Sequence, residues 1–250
     1  MERIEYLRLD EAEDGMWWFA ALHANLALLL RAFGAGPEVG PLLDAGCGTG
    51  GLLARLALAF PERAALGLDA EPAACTRAAA KSGRPVCAGS VNALPFADGS
   101  FAAIVSADVL CHHGADEGAA LRQFHRCLDE GGLLLLNLPA YPWMLSRHDR
   151  AVYNARRYTR SGLARLLREA GFRVLFASYW NAVLFPIMIL TRKILPAGAG
   201  ASDVRPYPAP IDALCRAATG CERALLRRGL SLPFGGSLLA VARKEAAPHV

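Results

Sequence analysis

The sequence predicts an α/β fold, a doubly wound and mostly parallel sheet of seven strands with helices on both faces. Short apolar runs alternate with helical patterns over most of the 250 residues. Such alternation is typical of parallel strands that are buried on both faces. A glycine-rich turn, "DAGCGTGG", joins the first apolar run to the helical pattern after it, at the place where nucleoside-binding folds of this class hold their ligand.

Each element follows from a local pattern. Two of the predicted helices end at Gly83 and Gly171, because glycine readily adopts the left-handed conformation that closes a helix. The predicted strands are, in chain order, PLLDAG, AALGLDA, PVCAGS, FAAIVSAD, GGLLLLNLP, RVLFASYW and GGSLLAVARK. The predicted helices between them are GLLARLALAF, PAACTRAAAKSG, EGAALRQFHRCL and RSGLARLLREAGF.

Composition indicates a cytoplasmic protein. The seven cysteines form no Cys-x-x-Cys pair, which is typical of a reducing compartment. The acidic start lacks the apolar stretch of a signal peptide, and no run reaches the roughly 18 apolar residues that span a bilayer. Residues 1–146 carry 10 basic and 17 acidic side chains, whereas residues 147–250 carry 17 and 6. The basic part suits an anionic partner or, equally, a solvated surface without one.

The glycine loop fits more than one ligand. Read as Gly46-x-Gly48-x-x-Gly51, it satisfies the dinucleotide fingerprint, with Asp69 near the place of the acid that binds ribose. Asp44, two residues before the first glycine, decides between the ligands, because its carboxylate repels a pyrophosphate and attracts an ammonium or sulfonium group. No Gly-Lys-Ser/Thr follows, so a Walker loop is excluded. The loop therefore predicts a cationic nucleoside.

Three stretches resemble the class I S-adenosylmethionine-dependent methyltransferases. "LLDAGCGTG" is similar to their motif I, "LGLDAEPAA" to the second strand that ends on a ribose-binding acid, and "GSVNALPFADGSFAAIVSADVLCHH" to their "LPF" stretch. Ser90 stands where the family has an Asp that binds the adenine amino group, and Ala102 replaces a second Asp. The resemblance implies S-adenosyl-L-methionine as the cofactor, held by Asp44, Ala45, Gly46, Cys47, Gly48, Gly50, Asp69, Ala70, Ser90, Val91, Ser106 and Trp18.

The resemblance also organises the chain as one methyltransferase domain over residues 1–250. An N-terminal helical lid precedes the sheet, and a helical insertion precedes the last strand. The expected parts are a lid over 1–36, a cofactor-binding core over 37–180, the insertion over 181–230, and the last strand and tail over 231–250.

A narrower resemblance points to one branch of this superfamily, methyltransferase type 11-like proteins that are mostly uncharacterised and bacterial. It rests on "MWWF", "RHDRAVYNARRYT" and "YWNAVLFP". Asn154 stands where the branch usually has His. Arg156 and Arg157 are candidates for clamping a carboxylate or phosphate of the acceptor, or else for positioning this loop against the acidic N-terminal segment. The predicted substrate-binding residues are His148, Asp149, Arg156, Arg157 and Tyr158.

Methyl transfer needs no nucleophile on the protein, but a base can assist it. His112 and His113 follow the fourth strand, at the edge where the methyl group is presented, and are the candidate bases. The alternative is that they are supporting or solvent-facing loop residues. A metal site is not expected, because the consecutive Cys111, His112 and His113 rarely converge on one ion. Trp17, Trp18 and Phe19 begin an apolar helix that is either a lid or a hydrophobic anchor.

The expected function is methyl transfer to a small-molecule or a lipid- or glycan-linked acceptor. An NAD-dependent oxidoreductase and a non-catalytic S-adenosylmethionine-binding protein remain alternatives. Nucleic acid is not an expected partner, since no Asn/Asp-Pro-Pro-Tyr/Phe motif occurs, and the oligomeric state stays open. Apolar residues 181–195 and the arginines of 216–228 suggest peripheral contact with the inner face of the membrane, or a helical cap over the pocket or a dimer interface.

Overall fold

A seven-stranded sheet forms the centre of the computed structural model, which describes residues 10–34, 40–146, 149, 152–194 and 207–245. The strand order is β3-β2-β1-β4-β5-β7-β6, and only β7 runs antiparallel to its neighbours. The predicted fold class is confirmed. The strands are β1 Leu42–Ala45, β2 Ala65–Asp69, β3 Val86–Ala88, β4 Phe101–Ala107, β5 Leu128–Pro139, β6 Phe172–Trp180 and β7 Ser237–Lys244.

Helices cover the sheet, and several begin at side-chain caps. Asp116 accepts a hydrogen bond from the Ala119 N–H at 2.7 Å, and Thr159 accepts one from the Gly162 N–H at 3.1 Å. Such caps satisfy backbone donors that the first helical turn leaves free. The helices are α1 Trp17–Phe33, α2 Gly51–Ala59, α3 Pro72–Ser82, α4 Glu117–Cys127, α5 Arg160–Glu169, α6 Phe185–Ile189 and α7 Ala209–Arg227, with a 3-10 turn at Pro142–Met144 and a π-helix at Leu190–Ile194.

The strand order reverses at β1, which pairs with β2 on one side and with β4 on the other. In open parallel sheets a ligand crevice lies at such a reversal, outside the carboxyl ends of the strands. The crossover helices α2 and α3 therefore cover one side of the crevice. The sheet itself is held by a continuous apolar core that includes Leu43, Ile104 and Leu134, all fully buried.

One difference from the sequence prediction lies late in the chain. β5 begins at Leu128 rather than at Gly131, because β4 continues its pairing to Phe101 opposite Leu128. Pro186 occupies the first turn of α6, where the proline nitrogen has no hydrogen bond to lose.

The helical insertion is tied to the first helix of the fold. The backbone N–H of Trp17 donates to Asp212 of α7 at 2.9 Å, and Arg216 donates to the Gly15 carbonyl. Buried Glu222 of α7 accepts hydrogen bonds from the backbone N–H groups of Asn181 (2.6 Å) and Val183 (2.9 Å). One buried carboxylate thus joins the two halves of the insertion.

Gly50 shows what the third glycine of the loop does. Its φ is +94°, and an added Cβ would lie 2.6 Å from the Ala78 Cα. Gly50, a predicted cofactor residue, does not line the cleft described below, and its lack of a Cβ allows α2 and α3 to pack closely.

Gly50→Ala should therefore destabilise the fold. We expect overpacking to lower the free energy of unfolding by about 1–3 kcal/mol, in addition to about 1–2 kcal/mol for the left-handed backbone. Gly83→Ala is the matched control, because Gly83 has a φ of +64° but nothing within 4 Å of an added Cβ. Denaturant unfolding of both variants measures the difference. If both variants lose the same free energy of unfolding, the close contact with Ala78 does not contribute to the destabilisation.

Candidate functional site

A cleft of about 350 Å³ opens at the carboxyl ends of β1, β2 and β4. Its volume is within the range of small-molecule sites. Most of the predicted cofactor and base residues meet there, although they are spread over the first half of the chain. Those that line it are Trp18, Asp44, Gly46, Cys47, Gly48, Asp69, Ala70, Ser90, Val91, His112 and His113.

Ala45 and Ser106, two of the predicted cofactor residues, do not line the cleft. Both are buried, and the Ser106 hydroxyl donates to the Ala45 carbonyl at 2.8 Å. This bond links the ends of the adjacent strands β1 and β4. The two residues therefore support the glycine loop from within the sheet.

Asp69 holds the glycine loop in place. One carboxylate oxygen accepts from the Gly48 N–H at 2.9 Å, and the other accepts from the Glu71 N–H at 3.0 Å. A carboxylate offers about four lone-pair positions. The position of Asp69 at the end of β2 is the one where the family resemblance places the ribose hydroxyls.

Asp44 is the least satisfied carboxylate of the cleft. Its side chain is buried, and its Oδ2 has no hydrogen-bond partner among the described residues. Burial raises the pKa of Asp44 well above its usual range, and the charges of Asp69 and Glu13 raise it further. An ammonium or sulfonium group would compensate this charge, so the residues present fit S-adenosyl-L-methionine.

The segment before α1 closes over the glycine loop. Glu13 lines the cleft and accepts hydrogen bonds from the Thr49 hydroxyl (2.6 Å) and the Lys81 ammonium (2.5 Å). In α1, Trp18 and Phe19 also line the cleft, whereas Trp17 is buried away from it. Sequence reasoning missed Glu13. Its only signal was a carboxylate four residues before the tryptophans.

The two candidate bases differ in their surroundings. His112 is half-buried, and burial lowers the pKa of its imidazole, which is therefore neutral at pH 7. His113 is exposed at the rim. A third histidine that sequence reasoning missed, His23 of α1, also lines the cleft, and burial lowers its pKa to about 4.

Asp108 is a further cleft residue that the sequence did not single out. It follows β4 directly and has a left-handed backbone, with φ at +55°. Its Oδ2 accepts from the Asn137 side-chain amide at 2.9 Å. Burial raises the pKa of Asp108 to about 7, although the hydrogen bond from Asn137 and the charge of Arg157 lower it. A signal existed, since an acid that ends a strand beside the glycine loop lies at the ligand edge.

The predicted substrate clamp is a buried structural pair. Asp149 and Arg157 are both buried, and the guanidinium donates to the carboxylate at 2.8 and 2.9 Å. Ser146 donates two more bonds to Asp149, and Arg157 also donates to the Ala140 carbonyl at 3.0 Å. Neither residue lines the cleft, and the described side-chain contacts of this pair lie within the protein. His148 lies outside the described residues.

Arg156 and Tyr158 support the loop that carries His112. Arg156 donates to the backbone carbonyls of Leu110, His112 and Ala115, and the Tyr158 hydroxyl donates to Leu110 at 2.9 Å. Neither side chain lines the cleft. Among the described residues, the ion-pair partners of Arg156 and Arg157 are Glu117 and Asp149.

Ser90 and Val91 form the side of the cleft where the family resemblance places adenine. The Ser90 hydroxyl accepts from the Asn92 N–H at 3.2 Å. Asn92, which sequence reasoning missed, bonds the Gly114 carbonyl and the Asp116 N–H, each at 2.9 Å. This side chain therefore joins the loop after β3 to the loop after β4, one on each side of the predicted adenine position.

The strand order, the glycine loop and the acid at the end of β2 define a nucleoside-binding α/β fold of the methyltransferase type. Comparison with known proteins agrees. Residues 43–136 match the family described as "Methyltransferase domain". A malonyl-[acyl-carrier protein] O-methyltransferase of Dechloromonas aromatica is 39% identical over 104 residues, 40% of this chain and 37% of that protein. The chain thus spans well under half the length of this curated relative.

Two solved structures share the fold. A putative methyltransferase of Haloferax volcanii, solved with the Trm112 methyltransferase activator, has a TM-score of 0.64 at 19% identity, over 98% of this chain and 99% of its own. Geranyl diphosphate C-methyltransferase of Streptomyces coelicolor, solved with S-adenosyl-L-homocysteine, has a TM-score of 0.57 at 14% identity, over 88% and 77%. At sequence identities this low, the similarity shows a common fold and nothing more.

Over residues 43–136 the chain therefore has a methyltransferase domain. The predicted methyltransferase class and S-adenosyl-L-methionine as its cofactor agree with this match. The alternative of an NAD-dependent oxidoreductase is not supported.

Asp44→Asn tests the electrostatic role of the buried carboxylate. We expect the affinity for S-adenosylmethionine to fall by about tenfold or more, about 1.4 kcal/mol, as measured by isothermal titration. Without ligand, the Asp44→Asn variant should melt at a higher temperature than the wild type. Since the pKa is higher in the folded than in the unfolded chain, ionisation costs the wild type stability as pH rises above about 4. The increase in melting temperature of Asp44→Asn over the wild type should therefore be larger at pH 8 than at pH 5.

Asp129→Asn is the control, since Asp129 is exposed and does not line the cleft. This variant should change neither affinity nor melting temperature appreciably. An unchanged affinity in Asp44→Asn would contradict a charge interaction with the cofactor.

Proposed function

We propose that the protein transfers a methyl group from S-adenosylmethionine to a neutral hydroxyl or amine on a small-molecule or lipid- or glycan-linked acceptor. The observation that supports this most directly is the charge of the cleft. Four carboxylates line it, from Glu13, Asp44, Asp69 and Asp108, and no Lys or Arg does so among the described residues. Such a site favours a cationic donor and disfavours an anionic acceptor.

We do not propose for this chain the acceptor that the name of the curated relative describes. Its name describes methylation of a malonyl group on an acyl-carrier protein, and malonyl carries a carboxylate. A carboxylate usually binds to an arginine fork. The two predicted candidates, Arg156 and Arg157, donate instead to backbone carbonyls and to Asp149. A neutral acceptor fits this cleft better.

The residues of the chain itself would orient the bound donor and exclude water from the cleft. When bound, the cofactor supplies an activated methyl group on a sulfonium whose sulfur is the leaving group. The apolar side chains of Trp18, Phe19 and Leu22 line the cleft from α1 and exclude water from it. Asp69 and Asp44 bind and orient the donor, so that catalysis depends mainly on alignment and desolvation.

Isothermal titration and a methyl-transfer assay test this proposal. The protein should bind S-adenosylmethionine and S-adenosylhomocysteine but not NAD. With a panel of hydroxyl, amine and carboxylate acceptors, S-adenosylhomocysteine should be released with the first two classes. Turnover with a carboxylate alone would overturn the neutral acceptor. Tight cofactor binding without turnover on any acceptor would favour the non-catalytic alternative.

We further propose that the acceptor is presented at a lipid surface. Exposed apolar residues lie on the three segments that meet around the ring of Phe185, and we call them the Phe185 patch. The Phe185 ring contacts those of Trp143 (6.3 Å) and Phe234 (6.4 Å). The patch comprises Trp143, Leu145, Val183, Ile187 and Phe234, which are 40% to 59% exposed.

Cations lie beside this patch, on the edge of the sheet where β5 and β6 end. The Lys193 ammonium donates to the Leu145 carbonyl at 3.0 Å, and Arg192 precedes it in the π-helix. Apolar side chains beside cations suit an anionic lipid surface. No helix in the described ranges is long and apolar enough to cross a membrane, so this contact would be peripheral.

Vesicle sedimentation tests the lipid surface. We expect binding to anionic vesicles at low salt, weaker binding at high salt, and little binding to neutral vesicles. Ile187→Ser should reduce binding several-fold, because its side chain is 59% exposed within the patch. Leu58→Ser is the matched control, since Leu58 is 74% exposed on α2, outside the patch. If the wild type leaves anionic vesicles unbound at low salt, the acceptor is a free metabolite.

A further inference from the structure

A chain of hydrogen bonds reaches the cleft through Asp108. The Trp180 indole N–H donates to Asn137 Oδ1 at 2.8 Å, and the Asn137 Nδ2 donates to Asp108 Oδ2 at 2.9 Å. An indole N–H can only donate. It therefore fixes the amide with its oxygen toward Trp180 and its NH₂ toward Asp108. The amide presents a donor to the carboxylate, and a donor stabilises the ionised form.

The backbone also holds this carboxylate at the cleft. Asp108 has a φ of +55°, a conformation that few residues other than Gly, Asn and Asp adopt readily. Its own N–H donates to the Asn137 carbonyl at 2.8 Å, which fixes the turn after β4. Strained residues of this kind occur often at functional sites. The other end of the hydrogen-bond chain is also at the site, because Trp180 stacks on the cleft residue Trp18 at 5.8 Å.

The predicted bases are less suited to accept a proton. His112 is half-buried, and burial lowers the pKa of its imidazole, which makes it a weaker base. His113 is exposed at the rim. Asp108 is partly enclosed, ionisable and already supplied with a donor on one oxygen, which leaves its other lone pairs available.

We propose that Asp108 is the proton acceptor of the methyl transfer, with Asn137 and Trp180 as its positioning residues. This inference rests on the proposed function, that is, on a neutral hydroxyl or amine as acceptor. The lone pair of the acceptor oxygen or nitrogen forms the bond to the methyl carbon. The carbon–sulfur bond breaks, its electron pair stays on sulfur, and the proton of the acceptor moves to the Asp108 carboxylate.

Its ionisation would give the reaction a characteristic pH dependence. The pKa of Asp108 is raised to about 7 by burial. The other charged or titratable groups that act on it or adjoin it are Arg157, which lowers this pKa, the thiol of Cys111 and the imidazole of His112. The carboxylate form is the base, so turnover should rise as pH increases through about 7. Ionisation of Asp108 should also strengthen the binding of S-adenosylmethionine, whose sulfur is positively charged, relative to that of S-adenosylhomocysteine, whose sulfur is neutral.

Asp108→Asn is the principal variant, because Asn keeps the left-handed backbone and still accepts from Asn137. Isothermal titration at pH 6 and pH 8 gives the ratio of the two affinities. In the wild type, this ratio should shift in favour of S-adenosylmethionine at pH 8. In Asp108→Asn the shift should be smaller, because only the ionisation of Asp44 remains to contribute to it. Asp98→Asn, a change at an exposed carboxylate outside the cleft, should behave as the wild type.

Turnover supplies the second readout. With any hydroxyl or amine that the wild type methylates, Asp108→Asn should lower kcat by about 10²–10⁴-fold and abolish the rise near pH 7. His112→Ala and His113→Ala should keep that rise. Asn137→Asp places an oxygen where Nδ2 stood and adds a like charge, so the midpoint of the rise should move up by about one pH unit or more.

The outcomes separate the two proposals. If the wild type does not bind S-adenosylmethionine, or binds it but methylates no hydroxyl or amine, the proposed function fails and the inference fails with it. If the wild type is active and Asp108→Asn is folded, as shown by its melting temperature, yet retains kcat and the same pH profile, only the inference fails. Loss of the pH rise in His112→Ala instead would assign the base to His112.

Discussion

The carboxylate of Asp69 holds the glycine loop to β2, and the rest of the cleft depends on this contact. Its bonds to the N–H groups of Gly48 and Glu71 join the ends of two strands at the point where the strand order reverses. Around this point the fold collects carboxylates, and one oxygen of Asp44 has no hydrogen-bond partner among the described residues. A cationic ligand would stabilise the ionised form of this carboxylate and so offset the cost of burying it.

A second layer of residues keeps the opposite side of the cleft in shape. Arg156 and Tyr158 bond the backbone of the loop after β4, and the buried pair of Asp149 and Arg157 anchors the segment from which they come. The guanidinium groups of Arg156 and Arg157 thus donate hydrogen bonds to groups of the protein itself. Arginines that look available in a sequence are thus not free to bind a substrate, which leaves the described lining of the cleft without a cationic side chain.

The first helix is connected to the chemistry at two places. Glu13 bonds Thr49 of the glycine loop and Lys81 of α3, so the entry segment is closed over the donor side. Trp18 stacks on Trp180, whose hydrogen bond continues through Asn137 to the acceptor side. Movement of this helix would therefore act on both sides of the cleft. The insertion takes part as well, because α7 binds the start of α1 through Asp212.

The sequence by itself determined the fold class, the strand positions, the methyltransferase class and most of the residues that line the cleft. Those features depend on local period, on a glycine turn and on acids at strand ends, all of which are short-range in the chain. Only the tertiary structure decided which partner each polar side chain takes. Arg157 bonds Asp149 eight residues earlier, and Arg156 bonds carbonyls more than 40 residues away. Asp108 and Glu13 became site residues through contacts with Asn137 and Thr49. Sequence pattern could not predict these pairings, because a polar side chain is satisfied by whichever group the packed chain brings to it.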